Sequence, residues 1–129
     1  MITIDYKDRK PIYEQLVDNI NMLVARGIYA SNFQLPSVRQ LAVEIGINPN
    51  TIQKAYAELE RQGTIYSVSG KGSFVSEDRE QLMQKYRAQK GNEIFKIVSE
   101  AAKIDISKNQ VIEIVDRAYI EFAQGGTAK

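Results

Sequence analysis

Asn48, Asn50, Thr51, Gln53 and Lys54 concentrate two kinds of chemistry in seven consecutive residues. Asn and Gln present a donor beside an acceptor and can pair bidentately with adenine. Thr can hydrogen-bond a base or touch a thymine methyl, and Lys can reach phosphate or guanine. Two further cations stand apart: Arg39, and Lys71 between Gly70 and Gly72. Catalysis finds no comparable set. The chain has no Cys and no His, which removes thiolate and imidazole nucleophiles, bases and metal ligands. Glu58 and Glu60, two residues apart on a helix, cannot face each other as an acid–base pair. We expect no enzyme, no metal and no cofactor.

These residues need positioning. Pro11 suits a first helical position. Ile12, Leu16, Ile20, Leu23 and Val24 then recur at three- and four-residue steps, predicting a helix that stops near Gly27. Ser37 is a candidate N-cap for a second helix of about nine residues, carrying Val38, Leu41, Ala42 and Ile45 inward until Gly46. Asn48 can cap a third helix with Pro49 at its first position. Ile52, Ala55, Tyr56 and Leu59 form its buried stripe, and Gly63 ends it. Two helices joined by a short Gly-containing turn are a helix-turn-helix. With that stripe turned inward, Asn50, Thr51, Gln53, Lys54 and Ala57 lie outward, and the free N–H groups of the first turn favour a phosphate nearby. Arg39 should project from the same side.

Thr64-Ile65-Tyr66-Ser67-Val68 and Ser73-Phe74-Val75 flank a glycine-tipped turn, Ser69-Gly70-Lys71-Gly72, and predict a hairpin, the wing. Each feature also has an ordinary use. Asn caps and N1 prolines stabilise helix starts, a lone Arg or Lys is commonly a solvated charge, and a glycine pair can be merely a turn. Their order within about forty residues points to a nucleic-acid reader.

From Glu77 onward the texture becomes charged and helical. Leu82, Met83, Tyr86, Ile94, Ile97, Val98 and Ala101 mark an amphipathic stretch, expected to be one helix bent at Gly91-Asn92. Ser107-Lys108-Asn109-Gln110 has the capping-box pattern. Behind it, Val111, Val115, Ala118, Tyr119 and Phe122 share a face until Gly125-Gly126. The last few residues should fray. A helical tail of 53 residues has little core of its own; its stripe could fold back on its own domain, but it is expected to seek a second copy of the chain. The fold class is therefore mainly α with a small β-hairpin: a winged helix-turn-helix domain over residues 1–76 and a helical dimerisation tail over 77–129.

The whole chain, 129 residues with 43% hydrophobic composition and a net charge of +1, fits a soluble globular protein. Residues 1–76 hold 8 basic and 7 acidic side chains, and residues 77–129 hold 9 of each. Net charge therefore announces no polyanion partner, and Arg39, Lys54 and Lys71 must supply local basicity. Charge enters the N-terminus after four residues and no apolar run approaches membrane-spanning length, so we expect a cytoplasmic protein without a membrane partner.

Five ordered motifs carry a family resemblance: Pro11-Ile12-Tyr13-Glu14-Gln15-Leu16, Leu35-Pro36-Ser37-Val38-Arg39-Gln40-Leu41-Ala42, Gly46-Ile47-Asn48-Pro49-Asn50-Thr51-Ile52, the stretch from Ala55 to Gly63, and Gly70-Lys71-Gly72-Ser73-Phe74-Val75. The sequence resembles GntR-family transcription regulators, and its short helical tail resembles their YtrA-type subfamily, small dimeric repressors often associated with transporter operons. The resemblance implies that Arg39 contacts DNA from the second helix, that Asn48, Asn50, Thr51 and Gln53 are recognition-helix contacts, and that Gly70 is the wing-tip glycine. Lys54 and Lys71 come from the chemistry above. Ala30-Ser31-Asn32-Phe33-Gln34 departs from the family's Pro-Gly-Asp-like turn, which leaves the shape of that loop open. The expected function is sequence-specific binding of double-stranded DNA by a homodimeric repressor on a pseudo-palindromic operator. The alternative is a winged-helix protein-interaction module that does not touch DNA. No small-molecule effector is deducible.

Overall fold

The computed structural model describes residues 2–125. Among them are five helices and one two-stranded sheet: α1 (Ile12–Ala25), α2 (Val38–Ile45), α3 (Pro49–Gln62), β1 (Ile65–Val68), β2 (Gly72–Val75), α4 (Arg79–Lys103) and α5 (Lys108–Ala123). The winged helix-turn-helix topology expected from the sequence is present. The expected fraying at the extreme C-terminus lies outside the described residues.

One compact unit spans Ile2–Lys85. Its core joins Leu16, Ile20, Leu23 and Val24 of α1 to Leu41 of α2, to Ile52, Ala55 and Leu59 of α3, and to Ile65, Val75 and Met83. A fully buried Leu or Ile contributes about 1.5–3 kcal/mol, far more than the tenths that separate helix propensities, so the stripes fix the helix faces. Local chemistry fixes the ends. Ser37 and Gln40 form a reciprocal capping box at the start of α2, and Gly46 ends that helix at φ +66°, a left-handed conformation that costs Gly little.

The core also holds a polar contact. Asn21, 2% exposed, accepts from Thr64 Oγ1 at 2.8 Å and donates to Gln62 Oε1 at 3.0 Å. The end of α3 and the start of β1 are thereby tied to α1, with each buried polar atom satisfied.

β1 and β2 pair antiparallel, Ile65 opposite Val75 and Val68 opposite Gly72. The loop before α2 lies along β2. Asn32 N donates to Val75 O, Val75 N to Phe33 O, and Leu35 N to Ser73 O, at 2.8–2.9 Å. The unusual Ala30–Gln34 sequence is thus held as a strand-like edge, and the positive φ of Asn32, 65°, makes its corner.

The second unit begins at Tyr86. α4 runs unbroken through Gly91-Asn92. One glycine costs a helix about 1 kcal/mol, which Gln, Lys, Arg, Glu and Ala over 25 residues outweigh. α5 starts with the expected capping box, Ser107 with Gln110.

Candidate nucleic-acid interface

α3 positions the candidate readers. Ile52, Ala55 and Leu59 have no solvent exposure and Tyr56 only 5%, so the opposite face must point outward. Asn48, Asn50, Gln53 and Lys54 are exposed and Thr51 is half-buried. Asn48 also serves as the cap: its Oδ1 accepts from Asn50 N at 2.8 Å. Its amide N–H groups and the second lone pair of the oxygen remain for a ligand while the cap holds. The side chains of Asn50 and Gln53 have no hydrogen-bond partner among the described residues, so both halves of each carboxamide are free for a base edge.

α2 is pinned beside α3. The Tyr56 hydroxyl donates to Pro36 O at 2.6 Å. Burial pushes its pKa up, which keeps it a donor across the accessible pH range. Arg39 stands in the first turn behind this contact, exposed, its guanidinium without a partner among the described residues.

Lys54 is held. Its Nζ lies 4.0 Å from the centroid of the Tyr13 ring, a cation–π contact to α1. The wing is held too: Ser67 Oγ donates to Glu60 Oε1 at 3.0 Å, and Gln34 Nε2 donates to Lys71 O at 2.8 Å. Gly70, at φ +75°, and Lys71 remain exposed at the tip. A Cβ on Gly72 would stand 3.0 Å from Gln34 Nε2, so that glycine allows the loop to reach under the tip.

Residues 12–75 match the gntR family of bacterial regulatory proteins. A longer likeness takes in almost the whole chain: 30% identity over 122 residues, 94% of this chain and 97% of the relative, to the uncharacterised helix-turn-helix transcriptional regulator YhcF of Bacillus subtilis strain 168. The chain belongs to the GntR family. This GntR protein is also 47% identical over 78 residues to the transcriptional repressor YtrA of the same strain, a match that spans 60% of either chain. The YtrA-type resemblance of the sequence agrees with that. A solved GntR family regulator from Listeria monocytogenes superposes with a TM-score of 0.71 at 40% identity, over 88% of this chain and 98% of that one. AraR(DBD) in complex with operator ORE1 gives 0.51 at 29% identity, over 59% and 93%. The protein is therefore a DNA-binding transcription regulator and not an enzyme.

Two features of the GntR site escape sequence periodicity. Tyr13 shares a helix with the core stripe yet faces Lys54, and Gln34 lies in the one loop that departs from the family pattern. The outer edge of α3 carries an ion pair at helical spacing, where Arg61 pairs with Glu58 and Gln62 also donates to it. Arg61, then Gln62, hold the Glu58 carboxyl down from 4.5 to about 2. A carboxyl depressed in the folded state stabilises above its unfolded pKa and loses that contribution as pH falls from about 4.5 towards 2. Glu58→Gln should therefore lower the urea midpoint slightly at pH 6, and the deficit should vanish near pH 2 and shrink in high salt, because the pair is exposed. An equal deficit at both pH values would refute the ionic origin.

In the second unit, Val115, Tyr119 and Phe122 are 44%, 73% and 45% exposed, Ala118 is exposed and Val111 half-buried. Ile94, Phe95, Ile97 and Val98 of α4 are exposed as well. No helix among the described residues is long and apolar enough to cross a membrane, and none of these residues gather into a carboxylate or imidazole cluster able to hold a metal.

Proposed function

We propose that this GntR regulator is a cytoplasmic homodimeric repressor whose two copies of α3 enter successive major grooves of a pseudo-palindromic operator. One observation carries the site: α3 is fully buried along Ile52, Ala55 and Leu59 while Asn50 and Gln53 face solvent unpartnered. Asn48, Asn50, Thr51 and Gln53 would meet base edges and phosphates in the groove. Arg39 would reach a base edge or clamp a phosphate, Lys54 would contact the flanking backbone, and Gly70 and Lys71 would approach the sugar-phosphate chain from the wing.

The dimer is supported by the apolar surface of the tail. Val111, Val115, Ala118, Tyr119 and Phe122 would pair with a second copy, since single monomers rarely leave such a stripe in water. Control of a transporter operon follows only from the YtrA-type resemblance.

A gel shift on the DNA upstream of the protein's own operon, with scrambled competitor, tests the reading. Footprinting should then show two protected half-sites about 34 Å apart. Absence of sequence preference at moderate salt would favour a protein-interaction module, and a strictly monomeric species at micromolar concentration would remove the dimer. Lys71→Ala should weaken binding evenly across sequences and reduce the salt slope by about one unit, as loss of one phosphate contact requires. An unchanged slope would take the wing-tip lysine out of the interface.

A further inference from the structure

The root of α4 is fastened to the end of α1 by one side chain. α1 has no basic residue in its last turn, so the negative end of its dipole is not offset from within that turn. Arg79, the first residue of α4, comes to it from 55 positions away. Its Nε donates to Val24 O at 2.7 Å, Nη2 to Ala25 O at 3.4 Å, and Nη1 to Glu80 Oε1 at 2.7 Å. The side chain is only 18% exposed. Gly27 gives it room: a Cβ there would stand 3.1 Å from Nη2.

The next turn completes the attachment. Met83 is 1% exposed, and Leu82 Cδ1 lies 3.8 Å from the place a Cβ on Gly63 would occupy, at the C-cap of α3. The start of α4 is therefore bonded to the C-terminal end of α1 and lies beside that of the helix that carries the candidate readers.

We propose that Arg79 is a positioning residue for DNA binding: it fixes the root of α4 on the reading unit, so that the two units of a dimer present their α3 helices at one separation. The inference rests on the dimeric operator reading above. A guanidinium fork satisfies two carbonyls and a carboxylate at once, which a lysine ammonium on a flexible stem cannot reproduce. Without the fork, Met83 still packs and the unit stays folded, but the root is free to rock. Simultaneous engagement of two half-sites depends on the effective concentration of the partner copy's reading unit, which falls when its geometry is loose.

The test uses the whole 129-residue chain and a duplex that the wild type selects from random DNA. Affinity is measured for the intact duplex, for one half-site, and for duplexes with one or two base pairs inserted at the centre. For Arg79→Lys, half-site affinity should stay within about twofold of wild type, intact-duplex affinity should fall roughly tenfold, and the penalty for insertion should shrink. Gly27→Ala, which crowds the guanidinium and also strains a backbone at φ +77°, should act in the same direction. Wild-type spacing penalties in both variants would overturn the proposal. So would an equal loss on half-site and intact duplex, which marks a folding role. A wild type that selects only single, unpaired half-sites would overturn the dimeric operator reading itself, and this proposal with it.

Discussion

Replacing Leu59 by Ala should lower the unfolding free energy of the Ile2–Lys85 unit by about 2–5 kcal/mol. Leu59 is completely buried, on the helix that packs against both α1 and α2. Removing most of its side chain forfeits transfer free energy and leaves a void in the core that α3 shares with α1 and α2, whose close packing relaxes only in part. Domains of this size are stable by about 5–15 kcal/mol, so the loss is a large share of the whole. Urea unfolding followed by circular dichroism should show a lower midpoint with an unchanged slope. DNA affinity, measured where the variant remains folded, should be close to wild type, because Leu59 faces away from the candidate readers. A wild-type midpoint would mean that this position is not part of the core.

The apolar stripes made most of this unit legible in advance. Ile52, Ala55, Tyr56 and Leu59 repeat at the helical period, and Gly46 and Gly63 close their helices at the ends expected. Such signals are local, since each residue's neighbours along a helix lie three or four positions away. What escaped is long-range. Arg79 bonds a carbonyl 55 residues back, Lys54 stacks on a tyrosine 41 residues earlier, and Gln34 reaches the wing tip across 37. Nothing in the spacing of these residues encodes the partner.

Asn21 shows a second limit. It sits between Ile20 and Leu23 in the first stripe, where a polar residue reads as solvent-facing, yet it is buried with Gln62 and Thr64. Periodicity assigns faces by the average of many residues, while a buried carboxamide depends on two specific partners. At the candidate site the residue types were legible in the seven positions after Ile47. Their division of labour was not: Asn48 gives its oxygen to the helix cap, whereas Asn50 and Gln53 keep theirs. In α4, continuity across Gly91 was decided by the many helix formers around it rather than by the glycine.

Arg39→Ala should weaken specific operator binding by about 1–3 kcal/mol, roughly 5- to 150-fold. The size of the effect follows from how little Arg39 must reorganise. Ser37 and Gln40 cap each other at the head of its helix, at 3.0 Å in both directions, and Tyr56 ties the residue before that cap to α3. The backbone under Arg39 is thus set before DNA arrives, and the guanidinium has no partner among the described residues to give up. Binding gains the full charge-assisted contact with little ordering cost beyond the side chain itself. Two measurements separate its possible targets. If Arg39 reads a base edge, the alanine variant loses discrimination at one base pair of each half-site while its non-specific binding barely changes. If it clamps a phosphate, specific and non-specific affinity fall together and the salt slope drops by about one unit. Arg39→Lys distinguishes them again, because a point charge restores much of a phosphate contact but not a bidentate pair with guanine. An alanine variant with wild-type affinity and salt dependence would place Arg39 outside the interface, and the first turn of α2 with it.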